Sequence, residues 1–232
     1  MKTVLLVPAR GGSDRLPHKH LYPLTEQGEN ALSILYDRLR PCGLPMRLVV
    51  GAGDRLYESV GRCIGWEVLR TSWVKEGDLL GSLKEGVQGF DRAVVVYGDS
   101  PLIDSSLINL LPDAPFAHLI APPGLRPFSF TARFLDEWIR ELLKEQPMPF
   151  TSLRFPKDWA KVGVRWALGV EEEERYTLDT ISDVTWLRHL LAPGLNASVE
   201  ELVRYARKSR GGEGEKPELE RGDSDDGADE SS

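Results

Sequence analysis

Apolar positions in this chain fall into short unbroken runs, and polar, helix-periodic stretches separate them. Val4-Leu5-Leu6-Val7 is such a run, the pattern of a strand covered on both faces of a parallel sheet. Arg47–Val50, Trp66–Leu69 and the β-branched Ala93–Tyr97 repeat it. Between these runs Ala31–Arg40 predicts a helix, stopped by Pro41 and Gly43. Arg55–Ile64 predicts another, with Leu56, Val60 and Ile64 on one face. Gly77–Gly89 predicts a third, with Leu79, Leu80, Leu83 and Val87 facing inward. Short strands alternating with helices imply right-handed βαβ units and an α/β fold with a mostly parallel sheet.

The pattern is less regular past residue 101. Leu102–Leu111 predicts a helix, Ala117–Ala121 a strand, and Pro122–Pro127 a loop. Phe134–Lys144 is an amphipathic helix closed by Pro147 and Pro149. Phe150–Lys161 is aromatic, basic and irregular, and Arg165–Val170 predicts a strand near the sheet edge. Ile181–Leu191 is a helix opened by Asp179 or Ser182, and Ser198 with Glu201 forms a capping box for a final helix. There is no internal repeat.

Composition adds limits. The 232 residues suit one domain, and an apolar content of 41% is enough for its core. No run of 18 apolar residues exists, and the Thr3–Val7 run is too short for a signal-peptide core, so a cytoplasmic protein with no membrane partner is expected. Of the net charge of −7, residues 208–232 contribute −5, and Leu219 is their one large aliphatic. Such a segment cannot offset its ordering entropy. Residues 1–207 are therefore read as one domain and 208–232 as a disordered acidic tail. The body carries no basic stripe, which excludes nucleic acid as a partner. Two cysteines and four scattered histidines form neither a disulfide framework nor a transition-metal site.

Candidate chemistry begins where the first run ends, at Pro8-Ala9-Arg10-Gly11-Gly12-Ser13-Asp14-Arg15-Leu16-Pro17-His18-Lys19. A glycine pair after a strand lets backbone N–H groups converge on an anion, and Arg10, Arg15 and Lys19 would neutralise several phosphate charges. A second motif, Tyr97-Gly98-Asp99-Ser100-Pro101-Leu102, follows the strand Ala93–Tyr97. An Asp there sits in the crevice where open α/β sheets bind ligands. The third is Tyr176-Thr177-Leu178-Asp179-Thr180, with Asp183 four residues beyond Asp179. Two lone carboxylates can share Mg²⁺, with phosphate oxygens and water as its other ligands. Helix capping is the competing reading for Asp179, Ser182 and Asp183.

Other chemistries lack their residues. Gly51-Ala52-Gly53 has no third glycine at dinucleotide-binding spacing, and neither a P-loop nor a nucleophile elbow occurs. The six tryptophans suit core packing better than base stacking. Near Trp159, the cations Arg154, Lys157 and Lys161 suit either a solvated loop or an acceptor carboxylate.

The Pro-Ala-Arg-Gly-Gly-Ser-x-Arg-Leu-Pro-x-Lys run resembles the opening of the cytidylyltransferases that make CMP-activated sugar acids. These are the CMP-acylneuraminate synthetases, the CMP-3-deoxy-manno-octulosonate synthetases and the spore-coat polysaccharide cytidylyltransferases. Gly98–Asp104 is similar to their second motif, and Leu178-Asp179-Thr180 with Asp183 to their third. Glu76–Leu80 is similar to the stretch before the second motif. His18 stands where that family usually has glycine, and Asp14 where Lys or Ser is common. The likeness covers residues 1–104 and 176–191; residues 105–175 have no counterpart in it.

The resemblance implies a glycosyltransferase-A-like nucleotidyltransferase fold, CTP as donor, a sugar acid or related sugar as acceptor, Mg²⁺, and a homodimer. It implies that Arg10, Arg15, Lys19 and Asp99 are catalytic and that Asp99 and Asp179 hold the metal. Pro8, Ala9, Arg10, the Gly11–Ser13 backbone including Gly12, Lys19 and Gly98 would form the nucleotide site. Within it Arg15 and Lys19 would meet the β- and γ-phosphates, and Arg10 the α-phosphate. Two alternatives accompany it: a molybdopterin- or cofactor-guanylyltransferase, and a non-catalytic nucleotide-binding relative. The tail's composition yields a first test: removing residues 210–232 is expected to move the melting temperature by less than about 2 °C. A drop of several degrees would show that the tail docks.

Overall fold

Strand β1 (Thr3–Pro8) is the axis of the fold, because its side chains are apolar on both faces. Val4 and Leu6 enter one core, Leu5 and Val7 the other, and all four are fully buried. The computed structural model describes residues 1–72, 79–142, 162–165 and 175–211. The chain passes from β1 through α1 (Ala31–Leu39) to β2 (Met46–Gly51), then through α2 (Arg55–Ile64) to β3 (Glu67–Thr71). It returns through α3 (Leu79–Gly86) to β4 (Arg92–Val95), on the opposite side of β1 from β2. Then come α4 (Ser105–Asn109), β5 (Phe116–Ile120), β6 (Phe128–Thr131), α5 (Ala132–Leu142), β7 (Val162–Arg165), α6 (Ile181–Leu191) and α7 (Val199–Gly211).

The sheet order is β3-β2-β1-β4-β6-β5-β7. Among the described strands only β6 runs against its neighbours, pairing antiparallel with β4 and β5. The predicted α/β class and mostly parallel sheet are thus observed. One face carries α1, α4, α6 and α7 and the buried Tyr57 of α2. The other carries α3 and α5, with Phe116, Phe130, Phe134 and Trp138 as its aromatic filling. Phe116 stacks on Phe134 with ring centroids 5.3 Å apart, within the range for attractive aromatic pairs. Trp66 and Trp138 are buried as core residues, and the Trp66 indole donates to the Leu32 carbonyl at 3.2 Å.

Capping chemistry sets the helix boundaries. Asn30 and Ser33 form a reciprocal capping box at α1. Ser198 and Glu201 form the expected box at α7. At α6 the cap is Thr180 with Asp183, not Asp179 or Ser182; the Thr180 hydroxyl accepts from the Asp183 N–H, and the Asp183 carboxylate accepts from the Thr180 N–H. Asp179 is thereby left for another role. The Leu102–Leu111 helix shrinks to α4, because the Asp104 carboxylate caps it from Ser106 and Leu107 and starts it late. Asp104 also accepts from the Val199 N–H and pairs with Arg38 at 3.5 Å. The buried Arg38 donates to the Leu102, Leu195 and Ala197 carbonyls, tying α1 to both later segments.

Strand β6 was not expected. Its Phe128-Ser129-Phe130-Thr131 alternates as a strand should, but the helix α5 follows with no turn between. The edge strand lies at Val162–Arg165, earlier than the expected Arg165–Val170; residues 166–170 lie outside the described residues. So do Phe150–Lys161, with Arg154, Lys157, Trp159 and Lys161, and the tail from 212. Helix α7 runs to Gly211, past the 207 boundary. Cys42 and Cys63 are both unpaired, and burial pushes the Cys42 thiol up to about 11. Among the described residues, no helix is long and apolar enough to cross a membrane.

Past β5, Gly124 makes a close approach that fixes the chain's last third. Its φ is +91°, and a Cβ there would lie 2.3 Å from the Tyr176 carbonyl carbon. The Tyr176 N–H donates to the Pro123 carbonyl at 2.8 Å, and the Leu178 N–H to the Asp99 carbonyl at 2.8 Å. Gly124→Ala is expected to cost about 2–4 kcal/mol in urea unfolding, since it meets backbone rather than a yielding side chain. A loss below about 0.5 kcal/mol would show that the 176–178 segment shifts freely.

Candidate active site

From β1 the chain leaves toward β2, and β4 lies on the other side. The loops after β1 and β4 therefore diverge and leave a crevice at the carboxyl ends of the strands, as open α/β sheets do at a switch of strand order. A cavity of about 280 Å³ occupies it, walled by Pro8, Ala9, Arg10, Ser13, Asp14, Arg15, Lys19, His20, Leu79, Tyr97, Gly98 and Asp99. The first two motifs thus meet in one place. Gly98 closes the gap between the strands, its N–H donating to the Pro8 carbonyl at 3.1 Å.

The loop after β1 is held from within. The Gly11 carbonyl accepts from the N–H groups of Ser13 (3.1 Å) and His18 (3.0 Å). The Gly11 N–H donates to the Asp54 carboxylate at 3.2 Å. A Cβ at Gly11 would come within 2.8 Å of the His18 ring and 3.1 Å of the Asp54 carboxylate, so a side chain there would have to push both side chains aside. Gly11 and Gly12 stand outside the cavity wall, and the Gly11 and Ser13 amides are engaged inside the loop. Ser13 lines the cavity, and the cations Arg10, Arg15 and Lys19 supply positive charge along the same wall. His18 has φ 54°, among the described residues the one non-glycine with positive φ. A glycine, usual there in the resembled family, takes this conformation without strain.

The third motif arrives from the last third of the chain. The Lys19 ammonium donates to Asp99 Oδ2 at 2.6 Å and to Asp179 Oδ1 at 2.7 Å, across sequence separations of 80 and 160 residues. Its side chain is only 11% exposed. Burial would lower the Lys19 pKa, yet the two carboxylates outweigh it and hold the ammonium above its ordinary range. Burial would likewise raise Asp179, but Lys19, Arg15 and Arg175 hold it below the usual carboxylate range. Arg15 reaches Asp179 Oδ1 at 3.0 Å and Arg175 reaches Oδ2 at 2.6 Å, both from solvent-exposed positions. The Ser100 hydroxyl donates to Asp99 Oδ1 at 3.3 Å. Asp179 is not part of the cavity wall; it reaches the cavity through Lys19 and Arg15.

Among the described residues no group of three His, Cys, Asp or Glu could enclose a metal. The Asp99–Asp179 pair is nevertheless a fitting donor set for Mg²⁺, which takes one or two carboxylates and completes its shell with phosphate and water. Two of their oxygens are already close enough for one ammonium to bond both.

Sequence patterns did not single out four residues of this site. His20 is buried beneath the loop, its Nδ1 3.1 Å from the Tyr57 hydroxyl. Burial pulls His20 down to about 4, although Asp99 and a hydrogen bond to the Arg10 backbone oppose this. A neutral His20 thus links Arg10 to the fully buried Tyr57. Asp54 stands at the N-cap position of α2 but makes no side-chain cap; its carboxylate takes the Gly11 N–H instead. Arg175 anchors Asp179. Asp54 after Gly53 and Arg175 four residues before Asp179 are local in the sequence, whereas His20 and Tyr57 meet across 37 residues and depend on long-range packing.

Residues 6–118 match the family model of the MobA-like NTP transferase domain. The 3-deoxy-manno-octulosonate cytidylyltransferase of Trichlorobacter lovleyi is 35% identical over 128 residues, covering 54% of this chain and 48% of the relative. An 8-amino-3,8-dideoxy-manno-octulosonate cytidylyltransferase of a Shewanella species is 31% identical over 119 residues, covering 48% and 46%. The chain spans about half the length of the curated relatives it matches. A cytidylyltransferase structure from Leptospira borgpetersenii superposes with a TM-score of 0.76 at 22% identity, covering 90% of this chain and 95% of that one. CMP:2-keto-3-deoxy-manno-octonic acid synthetase, solved with CTP, superposes with a TM-score of 0.60 at 18% identity, covering 83% and 99%. The fold is that of the nucleotidyltransferases, and the resemblance to sugar-acid cytidylyltransferases drawn from the motifs is borne out.

The buried His20 generates a pH test. Its folded pKa of about 4 lies below the unfolded value of 6.5, so the unfolded chain takes up the proton first. Stability is therefore lost as pH falls from about 6.5 toward 4, by about 3 kcal/mol, and this contribution levels off below. Asp179, with its depressed pKa, adds its loss only at lower pH, as the pH falls through its folded value. Urea unfolding from pH 7 to 4 is expected to show this slope in the wild type and lose most of it in His20→Asn. An equal slope in both proteins would show that His20 does not titrate as a buried group.

Proposed function

We propose that this chain is a nucleotidyltransferase that moves CMP from CTP to a hydroxyl of a sugar acid of the 3-deoxy-manno-octulosonate type, with release of pyrophosphate. The observation that carries the reading is the convergence of Asp99 and Asp179 on Lys19, beside the Arg10 and Arg15 cations, at the switch point of the sheet. Nucleotidyl transfer needs that combination: positive charge for a triphosphate and paired carboxylates for a divalent ion. The names of the cytidylyltransferase relatives favour cytosine and a sugar acid.

In this reading the acceptor oxygen attacks the α-phosphorus in line with the departing pyrophosphate. A new O–P bond forms as the bond from the α-phosphorus to the α,β-bridging oxygen breaks, and the hydroxyl proton passes to water. Arg10, held from behind by His20, meets the α-phosphate region. Arg15 and Lys19 meet the β- and γ-phosphates and stabilise the leaving group. Pro8, Ala9 and Gly98 form the wall against which the nucleotide lies. Asp99 and Asp179 would hold Mg²⁺, which when bound supplies charge to a phosphate oxygen as the transition state develops.

The test is pyrophosphate release across a nucleotide panel, with 3-deoxy-manno-octulosonate as acceptor. Release with CTP is expected. Release with GTP or UTP alone moves the protein to another nucleotidyltransferase class, and no release with any nucleotide supports a binding protein. Asp99→Asn is expected to lower turnover at least about 100-fold while the far-UV circular dichroism spectrum stays unchanged. Unchanged turnover removes Asp99 from the machinery.

A further inference from the structure

The two carboxylates proposed to hold a divalent ion already share a cation, and it belongs to the chain. Lys19 Nζ bonds one oxygen of each, at 2.6 Å and 2.7 Å. Octahedral Mg²⁺ binds its oxygens at roughly 2.0–2.1 Å, so an ion between the same two oxygens would occupy the space of the ammonium. The two cations are mutually exclusive there. Arg15 and Arg175 also touch Asp179, but their side chains are 61% and 54% exposed and can swing into water. Lys19 cannot, at 11% exposure. Its stem emerges at the cavity wall beside Arg10, Arg15 and Asp14. A polyphosphate in that cavity is the partner that would give a displaced ammonium new oxygens and pull it off the carboxylates.

We infer that Lys19 is the resident counter-ion of the Asp99–Asp179 pair, and that it closes the pair to divalent metal until a polyphosphate draws its ammonium into the cavity. The inference rests on the nucleotidyl-transfer reading and adds an order to it: metal and nucleotide bind with strong positive coupling, each weak without the other. Coupling is reciprocal, so a change at Lys19 alters both affinities. Arg10 and Arg15 line the same cavity, so its positive charge does not come from Lys19 alone.

The experiment measures Mn²⁺ binding to the nucleotide-free protein by electron paramagnetic resonance of the unbound ion. Lys19→Met is expected to bind Mn²⁺ at least about tenfold more tightly than wild type, within the usual range of coupling factors. Lys19→Arg, which keeps the charge, is expected to match wild type. Melting temperatures supply a second readout: Mn²⁺ alone should raise that of Lys19→Met and leave wild type nearly unchanged. If Lys19→Met does not fold, Lys19→Gln takes its place, uncharged but still able to donate. Equal Mn²⁺ affinity in wild type and the uncharged variant overturns the inference. A separate arm tests the parent reading: equilibrium dialysis of CTP with Mn²⁺ against wild type. Retention of CTP with equal Mn²⁺ affinities sinks the inference alone, whereas no retention sinks both.

Discussion

A buried ammonium with two carboxylates is the interaction on which the rest of this molecule is organised. Lys19, Asp99 and Asp179 come from three segments that share no local structure. Removing one partner from such a cluster costs about 3–5 kcal/mol, because the charge left behind stays out of water. The fold must therefore deliver all three side chains together, and much of its architecture does so. β1 and β4 lie side by side, so the loops carrying Lys19 and Asp99 leave from adjacent strand ends. The 175–179 segment is bonded along its backbone, Tyr176 to Pro123 and Leu178 to Asp99, and the latter bond fixes the two acidic residues relative to each other.

Around this centre, polar side chains that would ordinarily end helices are diverted or kept from being so. Asp54 gives up the α2 cap to hold Gly11, while Thr180 and Asp183 close α6 and leave Asp179 to face Lys19. Asp104, in the second motif, belongs to the scaffold: it caps α4, takes the Val199 N–H and pairs with Arg38. A motif residue can thus be required for the site without touching a ligand. The buried His20–Tyr57 pair has the same standing beneath Arg10.

What could be seen in the sequence follows how local each signal is. The Val4–Val7 run, the alternation of strands and helices as far as Tyr97, and the Ser198–Glu201 box were legible because runs and caps are short-range. The three motifs were legible because glycines and charges cluster at strand ends. β6 escaped because Phe128–Thr131 runs into α5 with no turn residue, and its reversed direction is set by β4 and β5 rather than by its own residues. The α6 cap was misassigned because Asp179, Thr180, Ser182 and Asp183 are all good capping residues, and tertiary contacts choose among them. The occupancy of the acidic pair by Lys19 could not be read from spacing at all. It is a three-body contact across 160 residues.

Sequence likeness and fold likeness also end at different places, and the reason is physical. The family match stops at residue 118, whereas the structural match to the Leptospira cytidylyltransferase covers 90% of the chain. The first 104 residues hold a loop in which Gly11 leaves room for the His18 ring, Asp54 accepts the Gly11 N–H, and two strand ends nearly touch. Few residue types meet those demands. The later part has packing to satisfy, which many apolar sets can do, and one acidic side chain to bring home. For that it needs a bend without a side chain at Gly124, a few backbone hydrogen bonds and an arginine at 175. Among the described residues, these few requirements are enough to return Asp179 to Lys19.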